Sequence, residues 1–482
     1  MTSKLGLGLA LGLSLKLGQP LPAAIAPLSP LPAAAMTSVA DSSPLAVNPL
    51  VAEMEAFLQA HTDHRQFMGS VMVVRDGETL LNLGYGMADL SQEVPNTPQT
   101  RFRMGSLTKQ FTAAAILQLQ ERGMLDVQAP VKTYLPDYPN DTITLHHLLT
   151  HTAGLPNLTS TPEYFDWMQR PATLGELIAR FRDLPLEFEP GSQHRYSNSG
   201  YILLTQVLET VSGQSYGDYI QDNLLTPLGL DNTGYEPSAV PGLAQGYRGT
   251  MRDYQTVPVA NPTAAQGAGG LYSTVGDLVR WNQALFRGSP EDRAVLSEAT
   301  VAAMTAPQAS LGIPGLPHLA YGYGLGIDTS ASPRIAHGGG ISGFVSSLLY
   351  LPNQDATIVV LSNVESINPE QISAGLASIL LGEPYDLPQA LDAVTVDGAI
   401  LACYLGTYQF SSVFQITITV EDGQLYAQGT GQPAIALYPK SDTEFFALAP
   451  ELEVIFTPCA DGTVESLTLI QSGQSTVAPR IQ

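Results

Sequence analysis

A chain of 482 residues is longer than the roughly 250–300 residues at which a single hydrophobic core stops growing, so the sequence predicts one large and one small domain. The formal net charge is −23 although only 13% of the residues are charged, so the acidity comes from a shortage of Lys and Arg. Because phosphate recognition needs clustered basic side chains and the sequence has no such cluster, nucleic acids and anionic membrane surfaces are excluded as partners.

The N-terminal segment has the pattern of an export signal. Lys4 precedes a short apolar run rich in Leu and Gly, and a tract of Pro and Ala with small residues suited to cleavage follows. We predict a signal peptide over residues 1–26 and a linker over 27–47, with a disordered leader as the alternative. No later segment has the about 18 consecutive apolar residues that a membrane-spanning helix needs. We therefore expect an exported protein, periplasmic or extracellular, without a transmembrane anchor.

Residues 48–380 are predicted to form one domain in which strands enclose a helical middle. The segments SVMVVRDG and ETLLNLGYGMADL predict a hairpin, and KQFTAAAILQLQERG predicts an amphipathic helix that ends at Gly123. Strand patterns return in GFVSSLLYLPN and ATIVVLSNV, joined by a turn at Pro352 and Asn353. This order predicts an α+β domain whose two ends meet in one antiparallel sheet.

The C-terminal part of the chain has a different pattern. After a connector over residues 381–400, short alternating strands separated by turns fill residues 401–482, which predicts a small antiparallel β domain, a barrel or a sandwich. Both cysteines, Cys403 and Cys459, lie in this part, so a thiol nucleophile in the first domain is excluded. A disulfide between them and two buried free thiols are both compatible with the sequence.

Ser106 and Lys109 form the first candidate catalytic pair. They lie three residues apart at the start of the predicted helix, so the hydroxyl and the amine share one face. The positive end of the helix dipole favours an alkoxide, and a buried lysine with a lowered pKa can act as a base. Among the five lysines of the chain, Lys109 alone follows a serine by three residues. A surface Ser and Lys on an amphipathic helix is the alternative.

Tyr196, Ser197 and Asn198 form the second candidate group, on a turn before an apolar helix. The phenol of Tyr196 can relay protons between the nucleophile and a leaving group, and the side chain of Asn198 can hold a substrate amide. The alternative is an ordinary helix N-cap, which Ser and Asn favour.

The third candidate group is the segment HGGGISGF, which starts at His337 and lies between two predicted strands. Its glycines, including Gly339 and Gly340, allow a substrate to lie against a strand edge, and His337 can bind a carboxylate. The alternative is a glycine-rich bulge or turn.

These three groups, in this order, resemble the serine beta-lactamase-like superfamily, in its branch of class C beta-lactamases, D-Ala-D-Ala carboxypeptidases, D-aminopeptidases and esterases. The resemblance extends over residues 145–156, 199–230, 268–281 and 321–327, and so covers most of the first domain. It implies a beta-lactamase/transpeptidase-like fold with Ser106 as the acylated nucleophile, Lys109 as its base and Tyr196 as the proton relay.

The resemblance also implies roles for substrate-binding groups. Asn198 would contact a substrate amide, and the backbone N–H groups of Ser106 and Gly340 would form the oxyanion hole. His337 and Gly339 match a box in which beta-lactamases carry Lys-Thr-Gly, so efficient beta-lactamase activity is not expected. The C-terminal domain resembles the lipocalin-like β-barrel attached to some peptidases of this group.

Two other patterns have weaker functional interpretations. The segment GQSYG, with Ser215 at its centre, fits a nucleophile elbow, but a helical pattern precedes it where a strand is required. His146, His147 and His151 lack an acidic partner at metalloprotease spacing, which favours packing roles over a metal site.

The sequence therefore predicts an acyl-enzyme hydrolase that requires no metal and no organic cofactor. A peptide containing D-amino acids is the preferred substrate class. The alternatives are a carboxylesterase with the same machinery and a penicillin-binding sensor that is acylated without turnover. Small peptides, beta-lactams or esters are the expected partners, and the sequence gives no oligomeric state.

Overall fold

The computed structural model describes residues 48–481, apart from residues 65, 162, 236–239, 251–252, 314, 389–393, 411–413, 422, 430–433, 448–451, 459–463 and 472–473. The predicted signal peptide and linker lie outside the described residues. None of the described helices combines the length and the apolar character that crossing a membrane requires.

Several helices of the described part begin at a residue whose side chain caps the first turn. The side chains of Asn48, Thr274 and Asn368 each accept a hydrogen bond from an N–H group in the first turn of their helix. The helices are α1 (Pro49–Asp63), α2 (Thr108–Glu121), α3 (Leu145–Leu149), α4 (Tyr164–Trp167), α5 (Leu174–Ile178), α6 (Asn198–Ser212), α7 (Tyr216–Ile220), α8 (Pro262–Ala265), α9 (Val275–Phe286), α10 (Pro290–Val295), α11 (Glu298–Thr305), α12 (Pro369–Leu381) and α13 (Gly398–Cys403).

The strands fall into one large sheet, one barrel and three short pairs. Those before the barrel are β1 (Gly69–Arg75), β2 (Glu78–Tyr85), β3 (Met87–Asp89), β4 (Val94–Pro95), β5 (Phe102–Arg103), β6 (Tyr247–Thr250), β7 (Asp253–Thr256), β8 (Tyr272–Ser273), β9 (Ala309–Ser310), β10 (Leu319–Tyr321), β11 (Gly326–Asp328), β12 (Arg334–Ile341), β13 (Phe344–Leu351) and β14 (Ala356–Ser362). Those of the barrel are β15 (Gly406–Gln409), β16 (Gln415–Glu421), β17 (Gln424–Gly429), β18 (Ala434–Pro439), β19 (Glu444–Ala447), β20 (Leu452–Pro458), β21 (Val464–Gln471) and β22 (Gln474–Pro479).

The large sheet is antiparallel and has the strand order β2-β1-β14-β13-β12-β11-β10-β9. Strand β1 pairs with β14, with Gly69 opposite Ser362 and Arg75 opposite Ala356. The first and last strands of the predicted α+β domain therefore lie side by side, which confirms the predicted fold class. The predicted hairpin is β1–β2, and the two late strand patterns form β13 and β14.

Helices cover both faces of this sheet. Strand β14 is buried along its whole length. Its alternate residues Ile358 and Val360 pack into the core with α1 and α12, whereas Val359 and Leu361 belong to the core that contains α2, α6 and α9. This alternation follows from the two-residue period of a strand that is buried on both sides.

The C-terminal strands β15 to β22 form a second sheet, which is a nearly closed antiparallel barrel of eight strands. Tyr408 bridges to Arg480, and the N–H of Ile481 donates to the carbonyl of Thr407 at 2.8 Å, which brings the two end strands together. Large side chains fill the interior, including Tyr404 stacked on Phe456 at 4.1 Å between ring centroids. The predicted barrel is confirmed.

The environment of Cys403 matches neither of the expected alternatives. Cys403 is free and exposed, so for this residue both the disulfide and the buried free thiol are wrong. It ends the short helix α13 at the barrel surface. Cys459 lies outside the described residues.

Candidate active site

The nucleophile candidate Ser106 lies on a short 3-10 turn, Gly105–Leu107, that leads into α2. The backbone of Gly105 has a φ of 53°, in the left-handed region. A Cβ atom at this residue would lie 2.7 Å from the nitrogen of Gly340 on β12. Only glycine satisfies both conditions, so this residue lets the turn approach the strand closely.

A second glycine contact brings the same turn against the sheet. A Cβ atom on Gly339 would lie 2.2 Å from the carbonyl oxygen of Met104. That carbonyl accepts a hydrogen bond from Ser346 Oγ at 2.8 Å. The glycines of the third sequence motif therefore allow the nucleophile turn to pack directly on β12 and β13.

Lys109 is buried one turn after Ser106 and makes three hydrogen bonds. Its Nζ lies 3.2 Å from Ser106 Oγ, 2.7 Å from Asn198 Oδ1 and 2.7 Å from the carbonyl oxygen of Ala268. Complete burial holds the pKa of Lys109 well below its ordinary value.

The three partners of Lys109 dictate how a neutral amine is oriented. Such an amine has two N–H groups and one lone pair. Asn198 Oδ1 and the Ala268 carbonyl can only accept, so they take the two N–H groups. The remaining lone pair then points at the hydroxyl of Ser106, in the arrangement that proton abstraction requires.

Asn198 is held in place by a neighbouring loop. Its backbone N–H donates to Asn157 Oδ1 at 3.0 Å, and its Nδ2 donates to Thr159 Oγ1 at 2.8 Å. Thr159 in turn donates to Asn157 Oδ1 at 3.1 Å, so its hydroxyl can only accept from Asn198. This fixes the amide with Oδ1 towards Lys109 and leaves one Nδ2 hydrogen for a substrate.

Tyr196 lies beside this pair, with its ring centroid 4.8 Å from Lys109 Nζ. Its phenolic oxygen is buried and has no hydrogen-bond partner among the described residues. Burial raises the pKa of Tyr196 above its ordinary value, and the nearby Ser106 side chain partly opposes this shift. The phenol is therefore protonated at neutral pH.

His337 makes two hydrogen bonds with protein groups. Its Nδ1 lies 2.6 Å from the carbonyl oxygen of Gly338, and its Nε2 lies 2.8 Å from the hydroxyl of Tyr321. Because a carbonyl only accepts, Nδ1 carries the proton and the neutral ring accepts from Tyr321. Burial lowers the pKa of His337 to about 4. A substrate carboxylate would have to displace one of these two bonds.

Among the described residues, no strand pairs with the edge of β12 beside Ser106. Strand β11 pairs with β12 only at residues 334–336. Ile341 pairs with Phe344 across a two-residue turn, so these two residues exchange backbone hydrogen bonds. In an antiparallel pair, residues that bond to the neighbouring strand alternate with residues whose N–H groups point the other way. The N–H of Gly340 therefore points away from β13, where it is available to a substrate oxygen.

The structure brings together all seven residues singled out from the sequence, and His151 of the weaker histidine pattern packs on one of them, Tyr196. Ser215 is the N-cap of α7 and donates to Asp218 Oδ2 at 2.6 Å, as expected for a helix start. Of the three histidines, His146 contacts the hydroxyl of Tyr323 and His147 takes part in the capping box of α3. Within the described residues no group of His, Cys, Asp and Glu has metal-site geometry.

Sequence reasoning missed several residues that shape the site. The carbonyl of Ala268 and the hydroxyls of Thr159 and Tyr321 carry no sequence signal for their roles, because each acts through a contact between distant segments. His151 was noticed only as part of a histidine cluster. The common signal is that all four lie in the segments that carry the family resemblance or directly beside them.

The family of the chain follows from comparison with known proteins. The Beta-lactamase family model matches residues 54–382, which is more than half of the chain. The chain belongs to the beta-lactamase family. In this family member a second model, a domain of unknown function (DUF3471), matches residues 391–477. The lipocalin-like relationship of the C-terminal domain stays a prediction.

Several relatives resemble this beta-lactamase family member over much of its length. Penicillin-binding protein 4* of Bacillus subtilis (strain 168) is 28% identical over 456 residues, which cover 89% of this chain and 98% of the relative. An octameric penicillin-binding protein homologue from Pyrococcus abyssi has a TM-score of 0.63 and 25% identity, covering 89% and 99% of the two chains. A D-amino acid amidase from Ochrobactrum anthropi SV3 has a TM-score of 0.61 and 25% identity, covering 70% and 98%. The protein is thus a serine beta-lactamase-fold hydrolase related to penicillin-binding proteins.

Proposed function

We propose that this protein is a serine hydrolase that works through an acyl-enzyme on Ser106. The environment of Lys109 carries the proposal. Two fixed acceptors take the N–H groups of its neutral amine, so the lone pair points at Ser106 Oγ, 3.2 Å away. A lysine whose pKa burial lowers well below its ordinary value can act as a base, and it lies within reach of the proton that it has to remove.

The proposed reaction has two halves. In the first, Ser106 Oγ attacks the substrate carbonyl carbon and its proton passes to Lys109. The bond to the leaving group breaks as Tyr196 protonates the leaving nitrogen or oxygen, and Lys109 then returns a proton to Tyr196. In the second half, water attacks the acyl ester of Ser106, the carboxylic acid leaves and Ser106 regains its proton. None of these steps requires a metal or an organic cofactor.

Opposite pKa shifts support this division of roles. Burial lowers the pKa of Lys109 and raises that of Tyr196, so the amine is available as a base while the phenol keeps the proton that an acid must give. We place the oxyanion between the backbone N–H groups of Ser106 and Gly340. The N–H of Gly340 points away from β13 and is therefore available to the oxyanion.

The proposed substrates are peptides or amides of D-amino acids, such as a cell-wall stem peptide or its fragments. Support comes from the similarity of the chain to a penicillin-binding protein and to a D-amino acid amidase. His337, at the position where beta-lactamases carry the Lys of their third box, also favours a peptidase. The exported location predicted from the N-terminal sequence would bring the enzyme to such substrates.

Hydrolysis of matched substrates tests the substrate class. Peptides ending in D-Ala-D-Ala, amides of D-amino acids, their L counterparts and small acyl esters are compared at equal concentration by chromatography of the products. We expect kcat/KM to be higher for the D than for the L compounds. Turnover of the esters with no cleavage of any D compound would reject a D-specific peptidase in favour of a carboxylesterase.

A further inference from the structure

His151 contacts three consecutive residues around Tyr196. Its carbonyl oxygen accepts from the N–H of Arg195 at 2.9 Å. Its Nδ1 accepts from the N–H of Ser197 at 3.2 Å. Its ring packs on the ring of Tyr196 with the centroids 4.2 Å apart and the planes tilted by 35°. One residue therefore holds the backbone on both sides of Tyr196 and one face of its ring.

The backbone of His151 adopts an unusual conformation to make these contacts. Its φ is 57°, in the left-handed region that side chains other than glycine rarely adopt. The side chain is only 2% exposed. A non-glycine residue keeps such a conformation only where its surroundings determine it, and such residues concentrate at functional sites.

The free phenol of Tyr196 makes these contacts necessary. Its buried oxygen makes no well-formed hydrogen bond among the described residues, and the Ser106 side chain, which is near enough to lower the pKa of Tyr196, belongs to the nucleophile itself, so polar contacts fix the direction of the phenol only weakly. The position of the oxygen relative to Ser106 must then come from the packing of the ring and from the backbone on either side. Both are supplied by His151.

We propose that His151 is a positioning residue that holds the Tyr196 hydroxyl in place for proton transfer to the leaving group. This inference rests on the proposed role of Tyr196 in the proposed function. It assigns His151 no contact with the substrate. The neutral ring suits the task, because Nδ1 can accept from Ser197 only while it carries no proton, and burial keeps the pKa of His151 well below its ordinary value.

Two substitutions separate the two side-chain contacts of His151. In His151→Asn, Oδ1 stands the same number of bonds from Cα as Nδ1 and keeps an acceptor for Ser197, and Asn tolerates the left-handed conformation, but the ring against Tyr196 is lost. In His151→Phe the ring remains and the acceptor is lost. His147→Asn is the matched control, because His147 belongs to the same segment and its Nδ1 accepts from Thr144 instead.

The readout is the dependence of acylation on the leaving group. The ethyl and p-nitrophenyl esters of one acyl group differ in that only ethoxide needs a proton in order to leave. A missing or misplaced acid therefore slows the ethyl ester selectively, which a general loss of folded enzyme would not do. Tyr196→Phe should lower kcat for the ethyl ester by about 10²-fold or more and change the p-nitrophenyl ester little.

We expect His151→Asn to give the same selective loss, of about 10²-fold for a misplaced acid, with KM nearly unchanged. His151→Phe should lose less, and His147→Asn should match the wild type. In the Tyr196→Phe background, His151→Asn should have little further effect, because the group it positions is already gone.

Four results would overturn the inference. If His151→Asn lowers the activity on both esters equally, His151 acts on stability alone. The same conclusion follows if His151→Asn has its full effect in the Tyr196→Phe background. A wild-type enzyme that turns over neither these esters nor any D-amino acid peptide or amide would refute the proposed function itself, and the inference with it. Full activity of His151→Asn in an enzyme that needs Tyr196 would refute the inference alone.

Discussion

Replacement of Lys109 by Met should change how the stability of the first domain depends on pH. Met keeps the length of the side chain and removes its titratable group. Burial lowers the pKa of Lys109 in the folded protein, whereas in the unfolded chain it returns to about 10.4. Between these two values the unfolded chain binds one more proton than the folded protein, so the stability of the wild type rises with pH.

The expected magnitude follows from this difference of one proton. Each pH unit within the window adds about 1.4 kcal/mol to the free energy of unfolding of the wild type. Within this window the wild type should therefore gain about 1.4 kcal/mol per pH unit relative to Lys109→Met. The acceptors left without a donor at Asn198 and Ala268 lower the stability of the variant by an amount that does not depend on pH, so they do not alter the slope.

Urea unfolding at several pH values measures this slope. The two tryptophans of the chain, Trp167 and Trp281, lie in the same buried core as the start of α2, so their fluorescence follows the relevant part of the protein. The wild type and Lys109→Met are compared at each pH, and all other titrating groups cancel in the difference. Parallel stability curves would mean that Lys109 is charged in the folded protein, which would refute its role as a neutral base.

Three further predictions concern the surroundings of the pair. Thr159→Val removes the acceptor that orients Asn198, and should cost about 1–3 kcal/mol of stability and lower kcat about tenfold. Gly339→Ala places a Cβ atom 2.2 Å from the Met104 carbonyl, and should lower the acylation rate by about 10²-fold. His337→Gln removes a buried neutral ring whose pKa is about 4. Because this pKa is lower than in the unfolded chain, acid destabilises the folded wild type more than the variant. Between neutral pH and about pH 5, the free energy of unfolding of the wild type should fall by about 2 kcal/mol more than that of His337→Gln.

The first two of these predictions have a control variant within the chain. Thr161→Val alters the same loop as Thr159 without touching Asn198, since its hydroxyl donates to the carbonyl of Leu158. Gly175→Ala adds a Cβ atom with nothing within 4 Å. Equal rates for Thr159→Val and Thr161→Val, or for the two alanine variants, would contradict the positioning arguments. An unchanged difference between the wild type and His337→Gln from pH 7 to pH 5 would mean that the histidine titrates normally.

The fold class could be predicted from the sequence because its evidence is local. The apolar periods of β1, α2, β13 and β14 are each visible within one short segment, and their order along the chain indicates the α+β arrangement. The pairing of β1 with β14 was expected from that order alone. The domain boundaries at residues 380 and 400 stay predictions.

The candidate site was predicted in part, for a physical reason. The Ser106–Lys109 spacing is a property of one helical turn, so the sequence shows it directly. The acceptor carbonyl of Ala268 is 159 residues away from Lys109 in the chain, and nothing in the type of that residue indicates its role. His151 was interpreted as a packing residue because its stacking on Tyr196 depends on a left-handed backbone that the sequence does not reveal.

Intact-protein mass spectrometry after exposure to a labelled penicillin and, separately, to a fluorophosphonate is the most direct test of the central claim. The wild type and Ser106→Ala are compared, and the labelled peptide is mapped. A single adduct on Ser106, absent from the variant, is the predicted result and would establish the nucleophile. An unmodified wild type under both reagents, or an adduct on Ser215, would contradict an acyl-enzyme at Ser106.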